Sequence, residues 1–387
     1  MSEILTSRQW LEKLVAFDTT SRHSNLELIE TVKNYLESYG LRVWLAGNPE
    51  GTKANLFATL PDSDGNTQGG IALSGHTDVV PVDGQQWSSD PFVLTEREQR
   101  LYGRGSCDMK GFIASALSLV PEWVQQKRAK PIHFALSYDE EVGCAGAPVM
   151  IEAIQQKGQQ IDGCIVGEPT NMQVIVAHKG INLFKCSVHG KAAHSSLTPK
   201  GCNAIEYAAK LICRIREIAD HYRQNGPFDE QYDVPFPTMT TNLIQGGIAV
   251  NTIPEHCSFQ YEFRNLPGIP AEKIQQQVED YIQNELLPKM RQEYSSADIA
   301  IDRQASAPAL EAAEEAAITA LVRALNDDHT IRKVAYGTEA GLFQKIGIPT
   351  IVFGPGSIQQ AHKPDEFIEI AQLEACDRFL RKLVHAM

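Results

Sequence analysis

The sequence contains no apolar run approaching the roughly 20 residues that a membrane-spanning helix requires. It also has no basic run. Its 35 Lys and Arg face 48 Asp and Glu, leaving a formal net charge of −13. An acidic chain without a basic stripe is a poor match for nucleic acid or an anionic membrane, and neither is expected as a partner. The eight cysteines (Cys107, Cys144, Cys164, Cys186, Cys202, Cys213, Cys257, Cys376) include no C-x-x-C pair and are scattered through 387 residues. That spacing argues against a disulfide framework and a cysteine zinc cluster, and fits reduced thiols. The opening Met1-Ser2-Glu3-Ile4-Leu5 lacks the basic segment and long apolar core of a signal peptide, so the expected location is the cytoplasm.

Common catalytic signatures are missing too. There is no H-E-x-x-H, no G-x-S-x-G and no P-loop. Gly103-Arg104-Gly105 is followed by Asp108 where a dinucleotide fingerprint needs its third glycine.

What is present is ordered alternation. Apolar residues at helical spacing predict helices over 7–16 and 25–39. Short apolar runs predict strands at 41–45, 55–60 and 71–74, then 132–137 and 163–166, with helices over 111–123 and 145–157. This is the signature of an α/β layered domain. After Lys179-Gly180 the pattern changes to strand 181–189, helix 203–218, strands near 238–245 and 255–264, and helix 270–285. That β-α-β-β-α order predicts a small two-layer α+β domain. The α/β character returns with a helix over 311–326, a strand at 350–353 and a helix over 371–385. Glu311–Glu315 reads as a solvated helix face, and 285–291 as a helix end running into a loop at Pro288. The expected organisation is a discontinuous α/β domain, 1–179 and 291–387, carrying an inserted domain at 180–290.

Histidines and carboxylates cluster just beyond the predicted strands. Ser74-Gly75-His76-Thr77-Asp78 follows one, Asp139-Glu140-Glu141 a second and Gly167-Glu168-Pro169-Thr170 a third. His362 follows the strand at 350–353, and Asp108 precedes a helix. Ligand sites of α/β sheets form at the carboxyl ends of strands. Two histidines with several carboxylates there suit Zn²⁺ or a similar divalent ion. Any one of these residues alone reads as an ordinary core or loop residue; their joint placement does not.

These motifs, with Val79-Val80-Pro81, Gly103 to Gly111 and Val142-Gly143, resemble those of the zinc-dependent aminoacylase and carboxypeptidase-like metallohydrolases. The resemblance runs over nearly the whole chain. It implies a zinc-peptidase-like catalytic α/β domain with an inserted two-layer α+β dimerisation or lid domain. It also implies two Zn²⁺ per subunit, with Co²⁺ able to substitute. His76 and Glu168 would bind one ion, Glu141 and His362 the other, and Asp108 would bridge them. Asp78 would orient the His76 ring. Glu140 would be the general base, because neighbouring side chains on an extended segment point opposite ways. The match to His194, in Ala193-His194-Ser195-Ser196, implies an oxyanion-holding residue reaching the partner's site in a homodimer. His189 lacks the motif and reads as structural.

Within the family, Ala177-His178-Lys179-Gly180, Val234-Pro235-Phe236-Pro237-Thr238, Gly337-Thr338-Glu339-Ala340 and Gly354-Pro355-Gly356-Ser357 with Gln360-Ala361-His362 are most similar to the branch that deacetylates N²-acetyl-L-ornithine in arginine biosynthesis. Deacylation of succinyl-diaminopimelate or acetylcitrulline, and metallo-carboxypeptidase action, are the alternatives. Asn251 and Arg264 match substrate-contacting positions, Arg264 as a carboxylate fork. Glu339 is the candidate acceptor for a cationic substrate side chain. Lys110 reads as a neutralising charge near the site.

Overall fold

The computed structural model describes residues 4–387, so the first three residues of the opening segment considered above lie outside it. The chain forms two units. One comprises Ile4–Ala177, Leu310–Lys333 and Thr338–Met387; the other comprises His178–Ala309 and Val334–Gly337.

The first unit is built on a six-stranded sheet. Its strands are β1 (Arg42–Gly47), β2 (Ala54–Leu60), β3 (Ile71–His76), β4 (Ile132–Ser137), β5 (Gly163–Val166) and, late in the chain, β10 (Thr350–Val352). Their order across the sheet is β1-β2-β4-β3-β5-β10. The pairs β4–β3, β3–β5 and β5–β10 are parallel, whereas β1 and β2 pair antiparallel. The four parallel strands therefore end along one edge, where their following loops meet. Because β2, β3, β4 and β5 are buried along their full length, they read as continuous apolar runs rather than alternating ones.

Helices cover the sheet. α1 (Ser7–Val15) starts at a capping box in which Thr6 Oγ1 accepts the Gln9 N–H and Gln9 Oε1 accepts the Thr6 N–H. It buries Trp10, Leu11, Leu14 and Val15, the residues its periodicity marked. α2 (Leu26–Ser38) does the same with Leu28, Ile29, Val32 and Leu36. α3 (Lys110–Gln125) is apolar nearly all round and lies in the core against α1 and α10 (Ile370–His385). α4 (Ala147–Gln156) packs on β1 and β2.

The second unit has an antiparallel sheet. β6 (Ile181–His189), β7 (Thr238–Gly246), β8 (His256–Arg264) and β9 (Asp298–Ala307) are ordered β7-β8-β6-β9. Alternation puts Phe184, Cys186 and Val188 with Phe259, Tyr261 and Phe263 on one face, and Phe184 stacks on Tyr261 and Phe263 with centroids 5.2 and 5.7 Å apart. α5 (Ala204–Asn225), α6 (Ala271–Tyr281) and α7 (Leu287–Glu293) bury their apolar residues in this same cluster.

Three expectations change. The chain stays in the second unit past 290, to Ala309, because β9 pairs along the whole of β6. The helix does not end at Pro288. A π-helical turn, Ile282–Leu286, leads into α7, whose first turn tolerates a residue without an N–H. The helix expected over 311–326 starts only at Ala317, as α8 (Ala317–Asn326). Glu311 is held extended, its N–H donating to Gln344 Oε1 at 3.0 Å and its carbonyl accepting from Gln344 Nε2 at 2.6 Å.

All eight cysteines are free thiols, and only Cys213 is exposed. No helix among the described residues is long and apolar enough to cross a membrane.

Candidate dinuclear metal centre

His76, Glu141 and Glu168 lie at or just beyond the ends of β3, β4 and β5, and the fold brings them together with Asp108 at the head of α3 and His362 beyond β10. His76 closes β3. Its Nε2 lies 3.1 Å from Asp108 Oδ1 and 4.0 Å from Glu168 Oε1. His362 Nε2 lies 2.9 Å from Glu141 Oε2 and 3.4 Å from Asp108 Oδ2. These contacts define two groups able to hold an ion, His76/Asp108/Glu168 and Asp108/Glu141/His362. Asp108 belongs to both, offering one oxygen to each.

Several residues hold this geometry. The Nδ1–H of His76 donates to the Asp78 carbonyl at 2.9 Å, which fixes the ring and leaves Nε2 facing the carboxylates. The Asp78 carboxylate lies farther from that nitrogen, at 3.6 Å. Its oxygens instead accept the N–H groups of Glu140 and Glu141 at 3.0 and 3.2 Å, and the Ser21 hydroxyl at 2.7 Å. Asp78 thus ties the loop after β4 to the loop after β3. Asp139 adopts a left-handed conformation, φ 54°, at the turn into Glu140. Lys53 Nζ secures it at 2.6 and 2.7 Å and also donates to the Ser21 carbonyl.

Glycines allow the close approach behind Glu168. A Cβ at Gly167 would fall 2.0 Å from the Phe112 ring, and one at Gly354 would fall 2.2 Å from the Gly167 carbonyl oxygen.

The electrostatics are those of crowded carboxylates. Burial pushes Glu140 up to about 8, Glu141 up to about 7, and Glu168 well above its ordinary value. For Asp108, burial works upward, but hydrogen bonds from His362 and His76 prevail and hold it low. Hydrogen bonds to Asp108 and Glu141 raise His362 to about 10. Burial works downward on His76, yet its bonds to Asp108 and Asp78 carry it well above the usual imidazole range. Three carboxyls driven toward neutrality beside two imidazoles driven toward charge form a site short of positive charge, which two dications would supply. The donor set, imidazole nitrogen with carboxylate oxygen, suits Zn²⁺ and its neighbours.

Glu140 belongs to neither group of three. Its Oε1 accepts from the Cys144 thiol at 3.2 Å. Lys110 is buried at the head of α3, pushed down to about 7 by that burial, and donates to the Phe17 carbonyl at 2.9 Å.

Glu339 departs from its expected role. It is fully buried, and its two oxygens accept the hydroxyls of Ser74 and Ser137, each at 2.6 Å. At zero exposure it presents no surface to a substrate ammonium. It braces β3 against β4 instead. His194, Asn251 and Arg264 are carried by the second unit. His194 is exposed and pairs across from Thr252, and its Nδ1 lies 2.8 Å from Ser196 Oγ. The Asn251 carbonyl accepts the Ser195 N–H at 3.0 Å. Arg264 Nη2 lies 3.3 Å from Glu262 Oε2.

One buried residue escaped the sequence reading. Glu366 Oε1 accepts the N–H groups of Cys107 and Asp108 at 2.9 and 3.0 Å. Its Oε2 accepts from Gly105 N–H at 3.1 Å and Arg104 Nη1 at 2.7 Å. The only sequence hint was its position four residues after His362.

A mixed α/β unit with two candidate metal groups sharing a carboxylate at its strand ends fits a metal-dependent hydrolase. Residues 72–386 match peptidase family M20/M25/M40, and the chain belongs to that family. It is 34% identical over 374 residues to an acetylornithine deacetylase of Photorhabdus laumondii, covering 95% of this chain and 92% of that one. An acetylornithine deacetylase of Myxococcus xanthus is 35% identical over 391 residues, covering 99% and 98%. Among solved structures, an M20-family metallo-carboxypeptidase from Sulfolobus solfataricus shares the fold with a TM-score of 0.77 at 17% identity, covering 99% of each chain.

Proposed function

We propose that this protein deacetylates N²-acetyl-L-ornithine to L-ornithine and acetate. The observation carrying this reading is the match, at about a third identity and nearly full length, to acetylornithine deacetylases, in a chain with two groups of possible metal ligands that share Asp108.

His76 and Glu168 would hold one divalent ion, Glu141 and His362 the second, with Asp108 between them. A pair of ions held there would supply Lewis-acid polarisation of the acyl carbonyl and of the attacking water. The chain's own residues do the rest. Glu140, which belongs to neither ligand group, takes the proton from the attacking water. It then delivers that proton to the departing amine nitrogen as the C–N bond breaks. Asp78, through the backbone of Glu140, keeps the base in place. Arg264 offers a fork for the substrate's α-carboxylate and Asn251 a polar contact. His194 supplies a donor to the developing oxyanion.

The second unit supports assembly as a homodimer in which His194 serves the partner's site. β7 is an edge strand with Leu243 and Ile244 exposed, and beyond it Ile248 and Val250 are 90% and 100% exposed. An unpaired strand edge flanked by apolar side chains favours pairing with a second copy. Zn²⁺ is the expected ion, with Co²⁺ able to replace it.

The test is turnover by metal-stripped protein reconstituted with Zn²⁺ or Co²⁺. N²-acetyl-L-ornithine, N-succinyl-diaminopimelate, N-acetylcitrulline and a dipeptide are run side by side. Metal-dependent activity highest on acetylornithine is expected. Highest activity on another substrate overturns the specificity. Inactivity on all four with metal bound overturns the reaction.

A further inference from the structure

A second cluster of metal-binding side chains lies in the other unit. His189 ends β6 and His256 begins β8, and the two are directly paired across the ladder. Their Nδ1 atoms face each other 3.3 Å apart, with ring centroids separated by 4.8 Å. Glu255 directly precedes His256 in the chain. One ligand atom from each of the three lies within 4.8 Å of the other two. Tetrahedral zinc at Zn–N distances of about 2.0–2.1 Å sets its nitrogen ligands roughly 3.3 Å apart. The imidazole pair already has that spacing.

The surroundings suit a cation. Asp298 is paired with His189 on its other flank, which adds a second carboxylate at the strand end. It is shared with Arg291, 3.6 Å away. The Glu255–His256 segment borders a groove of about 460 Å³ whose walls include Lys185, Ser187, Gln245 and Ser258. Both histidines reach solvent, so an ion can enter.

The placement gives the cluster a consequence. His189 and His256 stand at the bases of two arms. One arm continues to His194, the other leads back to Asn251. Between base and tip the arms are joined at three places. Gly190 N–H donates to the Glu255 carbonyl at 2.7 Å, Ala193 and His194 pair with Ile253 and Thr252, and Ser195 N–H donates to the Asn251 carbonyl at 3.0 Å. A metal bridging His189 and His256 would cross-link the arms where they leave the sheet.

We propose that His189, His256 and Glu255 form an accessory site for a divalent transition-metal ion, separate from the centre at the strand ends, which clamps the arms bearing His194 and Asn251. Imidazole ligands select Zn²⁺, Ni²⁺ or Cu²⁺ over Mg²⁺ and Ca²⁺.

The test uses the holoenzyme, dialysed to equilibrium against buffered micromolar Zn²⁺, with bound metal counted by emission spectrometry. Wild-type protein is expected to hold one equivalent more than His189→Ala or His256→Ala. Added Zn²⁺ is expected to raise Tm in the wild type and not in either variant, and Mg²⁺ to raise it in none. Unchanged circular dichroism confirms that the variants fold; if one does not, His256→Asn replaces it. Equal metal content in wild type and folded variants overturns the proposal, as does a Tm rise that survives in both. Metal counting is read without turnover, so this result and the substrate assignment stand or fall separately.

Discussion

The Glu366 carboxylate accepts the backbone N–H of Asp108 at 3.0 Å while its other oxygen accepts Arg104 at 2.7 Å. The residue shared by both candidate metal groups is thus held from behind by a buried acid that belongs to neither group. Gly105 and Cys107 donate to the same carboxylate, so it templates the whole loop from Arg104 to Asp108. Glu366→Gln turns one acceptor into a donor that faces other donors. Breaking such a buried charged pair costs about 3–5 kcal/mol. Metal affinity should fall roughly 10- to 100-fold, as for other residues supporting ligands. Metal content after dialysis and Tm check this; wild-type values for both would refute the templating role.

Glu339 makes a contrasting prediction. Because Ser74 and Ser137 take both its oxygens, Glu339→Gln should leave substrate preference intact. The ratio of kcat/KM for acetylornithine to that for acetylmethionine should stay within about twofold, since the serine hydroxyls can reorient to accept from an amide. Glu339→Ala leaves two buried hydroxyls unpartnered and a void, for a loss of about 2–5 kcal/mol. Steady-state kinetics on the two substrates separates the roles. A selective rise in KM for acetylornithine in the glutamine variant would restore Glu339 as the reader of the side chain.

His133 links stability to pH. Its Nε2–H donates to the Gly69 carbonyl at 2.7 Å and its Nδ1 faces the Thr59 hydroxyl at 2.9 Å, which together hold the neutral ring. Burial pushes it down to about 4. Unfolded histidine titrates near 6.5. Between those values the unfolded chain binds a proton that the folded chain does not. Stability from this group is therefore complete above about pH 6.5 and lost as pH falls toward 4, by roughly 3 kcal/mol. His133→Gln should be less stable than wild type at pH 7.5, with the gap narrowing at pH 5. Urea midpoints at the two pH values measure it. A gap independent of pH would sink the assignment.

The sequence showed the elements that one local pattern determines. Strands 132–137 and 163–166 fall where their apolar runs place them, and α1 and α2 bury the periodic residues. Strand 181–189 falls where its alternation predicted an exposed strand, though it is paired on both sides and mostly buried. The five candidate ligands were legible because each sits in a short motif, four at or beyond a strand end and Asp108 at the head of a helix. Long-range partners were not. β9 was missed because its sequence, Asp298 to Ala307, is half exposed and becomes a strand only by pairing with β6. Glu366 and Lys53 look like surface charges until the fold buries one against Asp108 and the other against Asp139. The burial of Glu339 was not legible for the same reason: its partners are 265 and 202 residues away.

The two metal groups differ in exposure, and that sets the order in which they empty. His76 is 1% exposed and held through Nδ1, whereas the His362 side chain is 54% exposed, on a left-handed residue with φ 64°. A ligand on an exposed turn exchanges with water more readily than one buried at a strand end. Limited chelation should therefore remove the ion at Asp108/Glu141/His362 first and leave that at His76/Asp108/Glu168. His362→Ala should retain about one ion at the strand-end centre. His76→Ala should lose most of both, because the freed Asp108 then lies beside uncompensated carboxylates. Metal content during stepwise chelation, followed with the accessory histidines replaced, reads this directly. Loss of both ions in one step, or equal retention by the two variants, would show that the groups are not ranked by burial.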